Sequence, residues 1–142
     1  VAETIFHEVP VRPKSDRRVP KKRLEQRLLS WFRTREDLEL VELHHPGLRR
    51  LDLEPRDLTD TDPSEYPRTR AWAQALHDHG DHDGLVWMSR LHNTDQAYTF
   101  FGDRVTATAF EDPEDSIELW HGPGLERIYR FAEAAGITIV HP

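Results

Sequence analysis

The chain has 142 residues, a formal net charge of −7, and 37% hydrophobic residues that include four Trp and six Phe. That length and composition suit a single globular domain, 1–142, able to bury a real core. No run approaches the ~20 apolar residues of a membrane span, no secretory signal is visible, and the lack of Cys excludes disulfides and thiolate metal sites, which together fit a cytoplasmic protein.

The elements follow in chain order. The only Met is Met88, so Val1 is not an initiator. VAETIFHEV places Val1, Ile5 and Val9 on one helical face with no capping residue ahead. Sequence upstream of Val1 is the expectation. From Arg12 to Arg35 the chain holds ten basic and two acidic residues. Pro10, Pro13 and Pro20 mark VPVRPKSDRRVP as a loop. A helix is expected next, with Pro20 near its first turn and Leu24, Leu28 and Trp31 as its apolar stripe. LELVEL, Leu38 to Leu43, reads as a strand, and LRRLDL, Leu48 to Leu53, as a second. Arg56 to Glu65 is acidic and turn-rich, hence a loop.

Pro67 to about His79 has the period of a helix, with Ala71, Trp72, Ala75 and Leu76 on its inner side. GLVWMS, Gly84 to Ser89, is a short buried strand, and AYTFF, Ala97 to Phe101, the next. PGLERIYRFAEAAG is a helix with Pro123 at its start and Gly136 as its C′ residue. Leu125, Ile128 and Ala132 mark its inner face. ITIV, Ile137 to Val140, closes as a strand. No internal repeat is evident. The class is α+β, with a small central β-sheet flanked by helices.

Two local patterns invite functional readings. HDHGDHDG, His77 to Gly84, has the His-x-His-x-Asp-His spacing of a metallo-β-lactamase metal site. It follows a helix rather than a strand, however, and only His92, His121 and His141 remain downstream. The preferred reading is structural: His near the negative end of a helix, Gly80 stopping it, and Asp residues solvating the turn. The basic stretch lacks the interleaved aromatics of single-strand binders, so a charged loop and a solvated face are preferred to a nucleic-acid site. G-x-G-x-x-G, the P-loop, G-x-S-x-G and H-E-x-x-H are all missing.

Three segments in series carry a resemblance. AETIFHE resembles the A-x-x-E-T-x-x-H helix of the RES domain, a family named for Arg, Glu and Ser, and its glutamate falls on Glu3. YPRTRAWAQALHDHGDHDGLVWMSR resembles the later block of that family: Tyr66 before a helix, the Asp83-Gly84 turn, and a hydrophobic strand leading to Ser89. AYTFFGDRV fits the following strand, and the closing helix and ITIV also fit. The family's arginine lies upstream of the glutamate helix and so outside this sequence. None of the nineteen basic residues takes that role, and the N-terminal part of the domain is expected to be missing.

The resemblance implies an ADP-ribosyltransferase-like fold that acts on NAD+ as substrate, with no metal. It implies a bacterial toxin of a toxin–antitoxin pair, acting as glycohydrolase, phosphorylase or ADP-ribosyltransferase. The implied partner is a helix-turn-helix, Xre-like antitoxin, with nucleic acid reached only through it; homo- or hetero-oligomers are compatible. Glu3 would stabilise the developing positive charge on the ribose and Ser89 would position the substrate, while Arg90 is a candidate phosphate contact. Trp72, Trp87 and Phe100 read as core. A non-enzymatic binding module is the alternative from another class, and a zinc-dependent hydrolase comes third.

Overall fold

The computed structural model describes residues 2–10, 16–92 and 94–141. Val1 and the Val11–Ser15 part of the expected Pro-rich loop lie outside the described residues. Contacts divide the chain into two units, Val1–Arg33 with Glu111–Pro142, and Thr34–Phe110. The class is α+β, and the strands are distributed over three small sheets rather than one.

The first unit begins with α1 (Ala2–Ile5). Ile5, Phe6 and Val9 are buried, as their spacing predicts, and Phe6 stacks on Phe131 at 5.5 Å. β1 (Arg18–Pro20) pairs in parallel with β7 (Thr138–Val140). Part of the expected loop is thus a strand, because ITIV supplies a partner from the far end of the chain.

The helix expected around Leu24, Leu28 and Trp31 does not form. Lys21–Leu24 makes one 3-10 turn, and Gln26 then adopts φ +57°. That left-handed residue ends the helical path, since a helix needs every φ negative. β2 (Leu28–Trp31) follows and pairs antiparallel with β6 (Asp115–Glu118). Alternation replaces the helical stripe. Leu24 is buried, whereas Leu28 is 61% exposed.

The second unit holds β3 (Leu40–Glu42), β4 (Gly84–Met88) and β5 (Gln96–Phe100) in one sheet. β3 runs parallel to β4, and β5 antiparallel to it. α2 (His45–Arg50), α3 (Pro55–Leu58) and α4 (Tyr66–Asp78) complete this unit. Leu43, Leu48, Leu58 and Leu85 form its buried cluster, with Trp72, Ala73, Leu76 and Trp87 packed against it. The inner face of α4 is therefore Trp72, Ala73 and Leu76. Ala71 and Ala75 are exposed, one position out of phase with the expectation. Phe100 is not in that cluster; it lies near Tyr98 and Phe110 at 6.5 and 5.2 Å.

LRRLDL is not a strand. Leu48 to Arg50 belong to α2, and Asp52 takes φ +56° just past its end. The Asp52 N–H donates to Arg49 O at 3.2 Å and Leu53 N–H to Leu48 O at 3.0 Å. This is a Schellman closure with Asp in the place usual for Gly. The segment Arg56 to Glu65 is also more ordered than a loop, with α3 carrying a reciprocal Glu54–Asp57 capping box and a 3-10 turn at Pro63–Glu65.

One device occurs in both units. ELHHPGL carries β3 into α2, and ELWHGPGL carries β6 into α5 (Gly122–Ala134). A Cβ on Gly47 would stand 1.7 Å from Glu42 O, and one on Gly124 1.9 Å from Glu118 O. Only glycine lets each helix start press so closely on the strand it follows. α5 also ends in a Schellman closure: Gly136, at φ +65°, donates to Glu133 O, and Ile137 to Ala132 O. This repeat escapes the sequence reading because the two copies differ by one inserted residue.

Candidate functional site

The strand that delivers Ser89 is braced at its start. The Asp83 N–H donates to Glu39 O at 2.7 Å, and Asp83 Oδ2 accepts from Glu39 N–H at 2.8 Å. Asp83 O accepts from Phe101 N–H at 2.8 Å, tying the next strand to the same residue. A Cβ on Gly84 would meet Thr99 O at 2.1 Å. Arg104 donates from Nη1 to His82 O at 2.7 Å and from Nη2 to His77 O at 2.6 Å. The Asp-Gly and Phe-Gly-Asp-Arg motifs thus fix β4 between its neighbours.

At the other end of β4, Ser89 is buried. Its N–H donates to Asp95 O at 2.9 Å and its carbonyl accepts from His92 N–H at 3.2 Å. Arg90 follows, with Nη1 donating to the carbonyl of Thr61, itself buried, at 2.6 Å. Ser89 and Arg90 therefore stand where a strand ends against a tight turn, in a backbone framework that holds both.

Glu3 belongs to the other unit. It sits half-buried on α1. The residues next to it, Thr4, Ile5, His7 and Glu8, form one wall of a cleft of about 450 Å³. Leu28, Leu29 and Leu119 supply apolar surface, and Arg23 and Arg27 supply charge. Glu8 is ion-paired with Arg23, whose guanidinium holds the Glu8 carboxyl below the ordinary carboxylate range. Sequence reading misses this cleft, because Glu8 and Arg23 are fifteen residues apart and share no local period.

HDHGDHDG resolves into separate partnerships. His77 Nε2 lies 2.9 Å from Asp103 Oδ2, and its Nδ1 3.1 Å from Asp78 Oδ1. His79 Nδ1 faces Ala75 O at 2.9 Å. Hydrogen bonds first from Asp78 and then from Asp103 raise the His77 pKa above its ordinary value. α4 ends at Asp78 with His79 as its cap, and Gly80 is not left-handed, so Gly80 does not stop the helix by the expected route. Nor is Asp83 a solvating residue, since it is committed to Glu39. Among the described residues, no group of three or more His, Asp or Glu is arranged to hold a metal ion. Among the described residues, no helix is long and apolar enough to cross a membrane.

A search of curated proteins and of solved structures finds no match to the chain. The family model of the RES domain matches residues 1–121. The match takes in Glu3, Ser89 and Arg90 and ends at His121, so α5 and β7 lie beyond it. With well over half of its length matched, the chain belongs to the RES domain family.

Proposed function

We propose that this chain is a toxin of a toxin–antitoxin pair that cleaves the nicotinamide–ribose bond of NAD+. The observation that carries the reading is the family match over residues 1–121, which includes both residues proposed for the chemistry.

The proposed reaction starts from a leaving group that is already cationic. The C1′–N bond breaks, its electron pair goes to the nicotinamide nitrogen, and positive charge develops on the ribose. Glu3 is the carboxylate that stabilises this oxocarbenium-like charge, an effect that is strong where water is excluded. Ser89 orients the substrate by a hydrogen bond to the ribose or to the nicotinamide amide. Arg90, anchored through Nη1 to Thr61 O, is the candidate phosphate contact. Water, phosphate or a protein side chain then captures C1′. No step of this scheme calls for a metal. An ADP-ribosyltransferase-like arrangement, a cytoplasmic location and inhibition by an Xre-like helix-turn-helix antitoxin complete the proposal.

The test is nicotinamide release from NAD+ by the purified protein, beside Glu3→Ala and Ser89→Ala, with and without a chelator. Chelator-resistant release that drops by ~10²–10³ in the Glu3 variant is the expected result. Intact NAD+ after incubation of well-folded protein with water, phosphate or cell extract as acceptor overturns the enzyme reading. A non-enzymatic binding module then replaces it.

A further inference from the structure

The cleft beside α1 has features that cleavage of NAD+ at Glu3 does not use. Leu29 and Leu119 line it beside Leu28, an apolar side chain left largely in solvent. Two guanidinium groups reach it, and they differ in state. Arg23 is held by Glu8, while the side chain of Arg27 has no hydrogen-bond or ionic partner among the described residues. An exposed Leu beside an unpaired Arg is a poor arrangement for water alone and a good one for an amphipathic anion.

Charge points the same way. Arg23 and Arg27 against Glu8 leave the cleft wall with one net positive charge. Residues 34–110 hold eight basic and fifteen acidic residues, which account for the whole net charge of −7. The unit that carries the cleft is thus neutral overall, so the long-range field of its own residues does not repel an anion.

We propose that this cleft binds a phosphate ester carried on a flat, largely apolar body, of the size of a mononucleotide. Arg27 anchors the phosphate. Arg23 joins it by exchanging the Glu8 carboxylate for the ligand, and the leucine wall covers the body. At about 450 Å³ the cleft lies within the usual range for small-molecule sites. This inference does not depend on NAD+ turnover, because it concerns binding on a wall of α1 that Glu3 does not line.

The experiment is calorimetric titration of the full chain with AMP, and separately with adenosine and with inorganic phosphate. AMP is expected to bind and each half alone to bind far more weakly. Arg27→Gln is expected to weaken AMP binding roughly tenfold, the scale of one charge-assisted contact. Leu28→Ser weakens it too. Glu8→Gln has the opposite sign: with its competitor gone, Arg23 is free, and AMP binds more tightly. A gain of affinity cannot come from a misfolded chain, so this variant keeps the test decisive if Arg27→Gln does not fold. No AMP binding at millimolar concentration, or affinity unmoved by Arg27→Gln and Glu8→Gln, overturns the inference. Glu3→Ala separates the two proposals, since it abolishes NAD+ cleavage and leaves AMP binding through this cleft intact.

Discussion

Asp83 grips Glu39 by two bonds at once, its carboxylate accepting from the Glu39 N–H and its own N–H donating to the Glu39 carbonyl. The residue that opens β4 is therefore latched to the segment leading into β3, and through Phe101 N–H to the end of β5. One side chain registers three strands. Asp83→Ala removes the side-chain half of the latch and is expected to cost ~1–2 kcal/mol, the usual range for a lost hydrogen bond. Denaturant titration reads it, with an unchanged m-value. Gly84→Ala is expected to be worse, since its Cβ has no space against Thr99 O.

His77 gives the fold a pH dependence. Its pKa is raised above the ordinary 6.5 by hydrogen bonds from Asp78 and Asp103. A raised folded-state value means the protonated ring favours the native state. The stabilisation is complete below the unfolded pKa and is lost as pH rises through the folded one. Melting temperature is therefore expected to fall as pH rises above 6.5, and His77→Gln is expected to flatten that part of the curve. Asp78 and Asp103 have lowered pKa values, so their contribution is present above the unfolded carboxyl value and declines as acid titrates them. A wild-type curve and a His77→Gln curve of the same slope above pH 6.5 would sink this account.

Arg90 has a structural duty whatever else it does. Its Nη1 contact to Thr61 O ties the end of β4 to a buried residue 29 positions earlier. Arg90→Ala is expected to lower stability by ~1–3 kcal/mol, the range for a hydrogen bond with a charged partner. If Arg90 also contacts substrate phosphate, KM for NAD+ rises in Arg90→Lys beyond what the melting temperature explains. Thermal melts and steady-state kinetics on the same preparations separate the two effects.

The paired glycines make a prediction that checks itself. Gly47→Ala and Gly124→Ala each push a methyl group into a backbone carbonyl of the preceding strand. Each is expected to destabilise by at least ~1–3 kcal/mol, the cost of overpacking. The carbonyls belong to backbone, which cannot rotate away as a side chain can. Melts of both single variants test whether the two turns are equivalent, and a neutral substitution at either site would contradict the close approach.

The sequence by itself determined the elements whose signals are local. α4, β4, β5, α5 and β7 stand within a residue or two of their expected places, because period, flanking turns and the Gly136 cap all act over a few positions. The family was legible for the same reason, since Glu3, the Asp83-Gly84 turn, Ser89 and Arg104 sit in short ordered motifs. The tertiary structure decided what depends on distant partners. Leu28 to Trp31 is a strand because residues 115–118 pair with it, far along the chain, after Gln26 has broken the helical path. Leu48 to Arg50 is helical because Gly47 packs on Glu42 and Asp52 closes the turn. The cleft needs α1, the 3-10 turn, β2 and Leu119 together. Local periodicity contains no information about which side chains converge from separate elements, so Arg27 and the Glu8–Arg23 pair emerge only once the chain is folded.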